Sequence, residues 1–241
     1  MNPIAQFPSL VILPGLLCDE RMFAPQVAAF ARSQVIGGFY AGCNSITAMA
    51  EHALNRMPDR AVLLGHSMGA RVAIEVARLA AERVAGLVIV DSGVHPVKPG
   101  ERAARHAIRD IGREQGMAAL VDVWLPPMVA PENRRPELMS QLGAMCRSAG
   151  LETFERQIGA LLRRPDTEAA LDQVACPALV AVGAEDMWSP VSQHQAIVER
   201  LNGAELRVIP GAGHMLPAEA PAEFNACLAG WLARVGLGPS E

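Results

Sequence analysis

The feature that most restricts the fold of this chain is the alternation of short strand-like runs with segments of helical length. Each run is rich in aliphatic residues and ends at a Gly, Pro, Asp or polar residue that favours a turn. This alternation is typical of a mostly parallel sheet with helices on both faces. It predicts an α/β fold with about six strands, at residues 10–13, 35–38, 61–64, 87–90, 178–182 and 205–209. The predicted helices between them span residues 22–31, 46–57, 68–82, 191–201 and 218–235.

The strand pattern stops between residues 95 and 174, after the fourth predicted strand. That stretch contains many prolines and predicts short helices at residues 101–115, 118–124, 132–148, 152–163 and 167–173. We therefore divide the chain into a core, residues 1–94 and 175–241, and a helical insert, residues 95–174. Open α/β sheets bind ligands at the carboxyl ends of their strands, so we expect the insert to lie over that edge. The alternative is an independent helical domain.

Composition excludes several classes of protein. The 241 residues are 51% hydrophobic and 19% charged, which is too apolar for a disordered chain. A formal net charge of -4 without a basic stripe argues against nucleic-acid binding. The longest apolar runs are strand-sized and no leader is visible, so we expect no membrane span and no secretion. Five scattered cysteines without metal-ligand spacing favour a reducing compartment. We expect a cytoplasmic protein with neither metal nor cofactor.

The segment Gly65-His66-Ser67-Met68-Gly69 carries the strongest chemical signal. It follows a predicted strand and opens the most regular predicted helix, which is the context of the G-x-S-x-G turn called a nucleophile elbow. So tight a turn strains Ser67 and needs glycine on both sides, where neighbouring backbone approaches. The turn raises the serine hydroxyl above the sheet at a helix N-terminus, where developing negative charge is favoured. The alternative is an ordinary glycine-rich turn.

A serine hydroxyl is a poor nucleophile without an adjacent base, which an acid must orient. In chain order the acid and then the base should follow Ser67. His214 comes after the last predicted strand, in the loop expected for the base. Asp186 follows the fifth predicted strand and is the leading acid. Asp91, at the end of the fourth strand, is the first alternative, and Glu185 is the second.

The other five histidines fit the role of base less well. His66 neighbours the serine, but its side chain should point away from the reacting hydroxyl. His52, His106 and His194 fall within helical patterns and are expected on the surface. His95 lies beyond a strand end, where it can line the site without acting as the base.

Acyl chemistry also needs N–H donors for the negative oxygen of the intermediate. One should be the backbone N–H of Met68, the residue after the nucleophile. The other should come from the loop after the first strand, where Gly15 allows close approach and Leu16 would supply the N–H. The alternative for this loop is a simple strand-to-helix turn.

Together these segments resemble the α/β-hydrolase superfamily. The order LPGLL, GHSMG, GAEDMWSP and GAGHMLPAEAP is similar to the family pattern over nearly the whole chain. The resemblance implies the roles of nucleophile, acid and base for Ser67, Asp186 and His214, and the same two oxyanion donors. It also implies that the helical insert is the family's cap. Only nine residues precede Leu10, so the antiparallel hairpin that often begins the family's sheet should be reduced or absent.

The side chains expected to line the substrate pocket are aliphatic, aromatic or methionine. They are Leu16, Leu17, Met22, Phe23, Met68, Trp124, Leu125, Met128, Trp188 and Met215. For Trp124 and Met128 the alternative is that they form the packing core of the insert. We expect a pocket with little built-in charge. No arginine stands out as a carboxylate clamp, and Arg21, Arg71 and Arg147 stay open for that role.

The sequence thus predicts a serine hydrolase that cleaves small to medium, largely apolar carboxylic esters through an acyl-enzyme intermediate. Its partners would be the ester and water, without nucleic acid or membrane, and the oligomeric state stays open. The resemblance leaves two alternatives, a carbon–carbon bond or enol-lactone hydrolase and a ligand receptor that retains the triad. Carbon–carbon hydrolases of this fold often carry an aromatic residue directly after the base. Met215 at that position counts against them.

Overall fold

The four inner strands of the sheet are short, aliphatic and buried, as a parallel sheet covered on both faces requires, and the two edge strands are more polar and more exposed. The computed structural model describes residues 7–238. The strands are β1 (Ser9–Leu13), β2 (Ser33–Val35), β3 (Ala61–His66), β4 (Val84–Val90), β5 (Ala178–Gly183) and β6 (Glu205–Ile209). Within the described residues they form one sheet in the order β2-β1-β3-β4-β5-β6, and every pairing is parallel. The predicted α/β fold with six strands is confirmed.

Parallel pairing brings the ends of neighbouring strands to one edge of the sheet. The register pairs Leu13 of β1 with Gly65 of β3, and His66 of β3 with Val90 of β4. The loops that follow β1, β3, β4 and β5 therefore start side by side. This edge is where an open α/β sheet places its ligand site.

Helices cover both faces of the sheet. They are α1 (Ala24–Ala29), α2 (Ile46–Leu54), α3 (Met68–Leu79), α4 (Glu101–Trp124), α5 (Pro136–Ala149), α6 (Leu151–Leu162), α7 (Thr167–Leu171), α8 (Val191–Arg200), α9 (Leu216–Glu219) and α10 (Pro221–Arg234). Successive strand residues point to opposite faces, so Ile12 and Val11 belong to different core clusters. The cluster of Ile12 includes side chains of α10, and that of Val11 includes side chains of α2, α3 and α8. No helix of the described residues is both long enough and apolar enough to span a bilayer.

The helical insert contains α4 to α7 and lies between β4 and β5 in the chain. Its apolar side chains share both core clusters with the sheet: Trp124 and Phe154 join the first, and Leu161 and Leu171 the second. The two helices predicted at 101–115 and 118–124 follow each other directly within α4 and are separated by a kink at Gly116, whose φ of 91° is not helical.

The second strand ends earlier than the sequence predicts. It stops at Val35 instead of residue 38, because the chain turns at Gly38 into a left-handed turn that continues to Gly42. Tyr40 has a φ of 57° in this turn, and its buried hydroxyl donates to the Pro14 carbonyl at 2.8 Å. The turn thereby holds the loop that follows β1.

Candidate active site

The turn between β3 and α3 places Ser67 at the carboxyl edge of the sheet. Its backbone has φ 54° and ψ -117°, a strained conformation for a residue with a side chain. A Cβ added to Gly65 would lie 2.4 Å from the Ala70 Cα, and one added to Gly69 would lie 1.9 Å from the Leu13 carbonyl oxygen. Both flanking positions therefore require glycine, and the close packing around them holds the serine in this strained turn.

A chain of hydrogen bonds joins Ser67, His214 and Asp186. The Ser67 Oγ lies 2.9 Å from His214 Nε2, and His214 Nδ1 lies 2.8 Å from Asp186 Oδ2. With Nδ1–H donating to the carboxylate, Nε2 is left as the acceptor for the serine hydroxyl. The His214 and Asp186 side chains are buried, so little solvent competes for these bonds.

The second oxygen of the Asp186 carboxylate accepts the backbone N–H groups of Trp188 and Ser189 at 2.8 and 2.9 Å. Burial opposes ionisation of this carboxyl. The charge and hydrogen bond of His214 and the two N–H bonds outweigh burial, so the pKa of Asp186 is lowered. Asp186 is therefore ionised at neutral pH and can stabilise a positive imidazolium.

The alternative acids occupy other positions. Asp91 is fully buried and accepts the N–H of Gly183 at 3.0 Å and that of Leu216 at 3.2 Å. Burial and the nearby charge of Asp186 raise the pKa of Asp91 well above its usual range. Asp91 therefore joins the end of β4 to β5 and to the loop after β6. It does not orient His214, which pairs with Asp186. The Glu185 side chain is exposed.

The loop after β1 passes directly beside Ser67. A Cβ added to Gly15 would lie 3.1 Å from the Ser67 Cβ, so only glycine permits this approach. Leu16, the next residue, lines the same cavity as Ser67. Met68 is the first residue of α3, where backbone N–H groups have no acceptor within the helix. The positions expected for the oxyanion donors thus lie on either side of Ser67.

The same loop is tied to the helical insert. Leu17 has a φ of 59°, rare for a residue with a side chain. Its N–H donates to Gln157 Oε1, on α6, at 2.9 Å. This buried bond connects the loop of the core with the insert. Sequence reasoning did not identify Gln157, because no local pattern shows where a glutamine in the middle of a helix will point.

Glu219 is a buried carboxylate that sequence reasoning missed. Its Oε1 accepts the N–H of Met215 at 3.0 Å, and its Oε2 accepts the N–H groups of Gly213 at 3.0 Å and Ala130 at 2.9 Å. It therefore binds the backbone on both sides of His214 and joins this loop to the insert. The signal that could have revealed it is an acidic residue within the otherwise apolar run after the histidine.

Three further histidines lie near the site. His66 is buried beside His214 and donates from Nε2 to the His214 carbonyl at 2.7 Å. Burial lowers the pKa of His66 to about 3, so it stays neutral. His194, expected on the surface, is fully buried: its Nε2 accepts the Ser92 N–H at 2.9 Å, and burial lowers its pKa to about 4. The expectation for His194 was wrong because α8 packs against the sheet. A helical pattern alone does not show that a residue is exposed. His95 lines the cavity.

Ser67 and His214 open onto a cavity of about 530 Å³. The side chains of the helical insert supply much of its apolar wall. The apolar lining residues are Leu16, Ile108, Trp124, Met128, Phe154, Ile158, Leu161, Trp188 and Met215. Of the residues expected to line a pocket, Leu16, Trp124, Met128, Trp188 and Met215 are therefore brought together around the serine.

The other residues expected in the pocket wall lie elsewhere. Leu17, Met22, Phe23 and Leu125 belong to the hydrophobic core cluster and do not line the cavity. Phe23, for example, packs edge-on against the His66 ring, with 6.1 Å between ring centroids. These side chains point beneath the loops into the core. The Met68 side chain is buried against α2 and the sheet, and only the backbone of this residue lies near Ser67.

The cavity also contains charged residues, in contrast to the expected pocket with little charge. Arg71, Lys98, Arg105 and Arg164 line it together with Glu101. Of the three arginines left open from the sequence, only Arg71 is among its lining residues. Arg21 pairs with Asp19, and Arg147 lies beside a separate surface pocket. Within residues 7–238 no group of three or more His, Cys, Asp or Glu side chains is arranged to hold a metal ion.

The chain is similar to several known proteins. Residues 10–226 match the model of the alpha/beta hydrolase family. A putative carbamate hydrolase RutD from Caulobacter sp. (strain K31) is 25% identical over 96% of this chain and 92% of its own. Another putative carbamate hydrolase RutD, from Variovorax paradoxus (strain S110), is 28% identical over 73% of this chain and 67% of its own.

Solved structures show the same fold. A thermophilic esterase from Thermogutta terrifontis with malate bound superimposes with a TM-score of 0.82 at 27% identity, covering 95% of this chain and 90% of that one. The enol-lactonase from Burkholderia xenovorans LB400 has a TM-score of 0.85 at 22% identity, covering 95% and 92%. At that identity the likeness to the enol-lactonase concerns the fold alone.

Proposed function

Because the chain belongs to the alpha/beta hydrolase family, we propose that it is a serine hydrolase that cleaves carboxylic esters through an acyl-enzyme intermediate. The observation that carries the proposal is the pair of hydrogen bonds that joins Ser67 to His214 and His214 to Asp186, at 2.9 and 2.8 Å. This arrangement activates a serine hydroxyl for attack on a carbonyl carbon.

In the first half of the reaction Ser67 Oγ attacks the ester carbonyl while His214 Nε2 takes its proton. The imidazolium that forms is stabilised by the ionised Asp186. Negative charge develops on the carbonyl oxygen and is held by the backbone N–H groups of Leu16 and Met68. His214 then gives its proton to the departing alcohol, which leaves the acyl group on the serine.

In the second half a water molecule replaces the alcohol. His214 removes a proton from the water as it attacks the acyl-enzyme, and the same two N–H groups hold the oxyanion. Collapse of this intermediate releases the carboxylic acid and returns the proton to Ser67. The strained turn supports both steps because it keeps the hydroxyl exposed above the sheet.

The curated relatives favour a second candidate substrate class. Two of them are putative carbamate hydrolases, and a carbamate carbonyl can be attacked by the same serine. The esterase structure, at 27% identity, favours the ester. We give the ester precedence because the nitrogen lone pair of a carbamate delocalises into its carbonyl and makes that carbon less electrophilic than the carbonyl carbon of an ester.

The test is turnover of p-nitrophenyl esters of increasing chain length, compared with lactones and carbamates. We expect sustained ester hydrolysis, and Ser67→Ala should lower kcat by about 10⁴-fold or more, as in other serine triads. Ser192→Ala, an exposed serine on α8, is the matched control and should leave turnover unchanged. Ester turnover by Ser67→Ala close to the wild-type rate would show the mechanism to be wrong. A single burst without turnover would support a receptor, and hydrolysis of carbamates alone would support the second candidate.

A further inference from the structure

The cavity contains a group of charged residues that the proposed reaction does not use. We call Arg71, Arg105, Arg164 and Glu101 the arginine cluster. Arg71 and Arg164 both donate to the carbonyl oxygen of His95, at 3.1 and 3.2 Å. Arg105 and Arg164 both pair with the Glu101 carboxylate, at 2.9 and 2.7 Å. These shared partners place the three guanidinium groups close together, and all of them line the cavity that holds Ser67.

The arginine cluster has more positive than negative charge. Three guanidinium groups face one carboxylate, which leaves an excess of two positive charges. The group is shielded from solvent, because the Arg164 side chain is 2% exposed and those of Arg105 and Glu101 are each 15% exposed. Buried charge is costly unless it is paired and hydrogen-bonded. A further anion in this part of the cavity would offset the excess.

Arg71 shows the imbalance most clearly. It is 6% exposed, and its hydrogen bonds go to neutral oxygens: the carbonyls of Val94 and His95 and the hydroxyl of Thr167, at 3.1 to 3.3 Å. No carboxylate of the described residues forms an ion pair with it. Burial, together with the charge of Arg164, lowers the pKa of Arg71 to about 9, so it is still positively charged at neutral pH.

A purely structural role accounts for only part of the cluster. The bonds of Arg71 to His95 and Thr167 tie α3 to the helical insert, which explains why an arginine stands at this position. They do not explain Arg105, whose Nε donates to Glu101 while its Nη1 and Nη2 bond no partner in residues 7–238. A planar guanidinium with free N–H groups matches the two oxygens of a carboxylate.

The cluster lies within reach of a substrate bound at the nucleophile. Arg71 follows Ser67 by four residues at the start of α3, which corresponds to a rise of about 6 Å along a helix. The same cavity wall includes apolar side chains such as Leu16, Phe154 and Ile158. An ester with a short aliphatic chain and a terminal anion would match this combination of reacting group, apolar wall and positive charge.

We propose that the arginine cluster is a carboxylate subsite and that the substrate is an ester carrying a free carboxylate, such as the monoester of a short dicarboxylic acid. The inference rests on the proposed function, because the ester carbonyl must lie at Ser67. The bound carboxylate accepts hydrogen bonds from Arg105 and Arg71. It reduces the excess charge of the arginine cluster from two positive charges to one. The cavity is therefore selective for an anionic ester instead of the largely apolar one expected from the sequence.

The kinetic test compares monomethyl adipate with methyl hexanoate, which have the same six-carbon acyl chain but differ in the terminal carboxylate. Acid release is followed in a pH-stat at neutral pH. A hydrogen bond to a charged group contributes about 1.5–3 kcal/mol, so wild-type kcat/KM should favour the adipate ester by about 10- to 100-fold. Arg105→Gln should lower this ratio by about 10-fold, chiefly through KM.

Two further variants separate recognition from packing. Glu101→Gln removes the competing carboxylate and should raise the preference for the anionic ester, which loss of a structural ion pair would not do. Arg102→Gln, an exposed arginine on the same helix, is the matched control and should leave the ratio unchanged. Equal kcat/KM values for the two esters, or a ratio unaffected by Arg105→Gln, would overturn the subsite.

A binding measurement distinguishes this failure from failure of the proposed function. Calorimetry on Ser67→Ala should show binding of monomethyl adipate that weakens about 10-fold when Arg105→Gln is added. If no ester is hydrolysed but this binding persists, the proposed function fails and the subsite stands. If methyl hexanoate is hydrolysed but monomethyl adipate neither binds more tightly nor reacts faster, the function stands and the subsite fails.

Discussion

The two sides of the cavity are held by different kinds of bond. On the core side the reacting groups are fixed through backbone: Ser67 sits on a strained turn, and Glu219 accepts N–H groups on both sides of His214. On the insert side the wall is held by side chains that pair with one another, as Arg105 and Arg164 pair with Glu101. In the proposed mechanism the core side therefore positions the reacting atoms, and the insert side provides the surface that a substrate meets.

This difference suits the two proposed tasks, which are to position the reacting atoms and to recognise the substrate. Reacting atoms must be placed within a fraction of an ångström, because small displacements greatly reduce the rate. Backbone bonds to buried carboxylates provide that precision, because changes in neighbouring side chains leave them intact. A recognition surface can change one side chain at a time without moving the nucleophile. Substitutions on the core side should therefore affect folding and kcat, and those on the insert side should affect KM and substrate choice.

The largest expected difference is between two helical glycines, Gly69 on the core side and Gly159 on the insert side. A Cβ at Gly69 would lie 1.9 Å from the Leu13 carbonyl oxygen, where only backbone can move. Gly69→Ala should therefore destabilise the protein by about 3 kcal/mol or more, at the upper end of overpacking costs. At Gly159 the nearest atom, 3.3 Å away, is the flexible end of Arg163, so Gly159→Ala should stabilise by about 0.5–1 kcal/mol.

Urea unfolding of the two variants measures both effects. If Gly69→Ala unfolds at the same urea concentration as the wild type, the elbow is not held by close backbone packing. A loss of stability in Gly159→Ala similar to that of Gly69→Ala would mean that the two sides are equally rigid.

The core side could be predicted because its strands and turns depend on residues that are neighbours in the sequence. The strands follow from short aliphatic runs, and the turn around Ser67 follows from glycines that a tight strand-to-helix turn requires. His214 and Asp186 were found because parallel strands end at one edge, so residues after different strands meet there. Even on the core side the pattern did not predict the exact residue at which each strand ends. The second strand, for example, stops at Val35, ahead of a left-handed turn.

The insert side could not be predicted in the same way. The direction of a helical side chain depends on how the helix packs, and no short pattern gives that information. No sequence pattern therefore singled out Arg105 and Arg164, and Leu125 was expected in the pocket although it belongs to the core. Glu219 was missed for the same reason, because its role depends on backbone groups brought near it by the fold.

A second prediction concerns the loop that carries His214. In Glu219→Gln one carboxylate oxygen becomes an NH₂ group, which cannot accept the N–H bonds that Gly213 or Met215 now makes. An unpaired buried donor costs about 1–3 kcal/mol, and the histidine loses part of its support. We expect kcat to fall by about 10- to 100-fold with a smaller change in KM.

The matched control is Glu223→Gln, an exposed glutamate in the first turn of α10. It should change neither stability nor rate. A Glu219→Gln variant that loses stability but keeps the wild-type kcat would show that the carboxylate supports the fold without positioning the base.

The smallest predicted effect is at the contact between the two sides, the bond from the Leu17 N–H to Gln157 Oε1. Gln157→Met keeps the length of the side chain but leaves this buried N–H unpaired. Within residues 7–238 the Gln157 Nε2 is itself buried without a partner, so removing it offsets part of the cost, and we expect a net loss of about 1 kcal/mol. Because Leu17 follows Leu16, the proposed oxyanion donor, kcat should fall, but by less than the ~10²–10³-fold seen when a donor is lost. Gln141→Met, which removes an exposed bond from the insert to the Arg21 carbonyl, should leave kcat unchanged. Equal values of kcat for the two variants would mean that the insert covers the loop after β1 without fixing its position. The core side and the insert side would then be independent of each other.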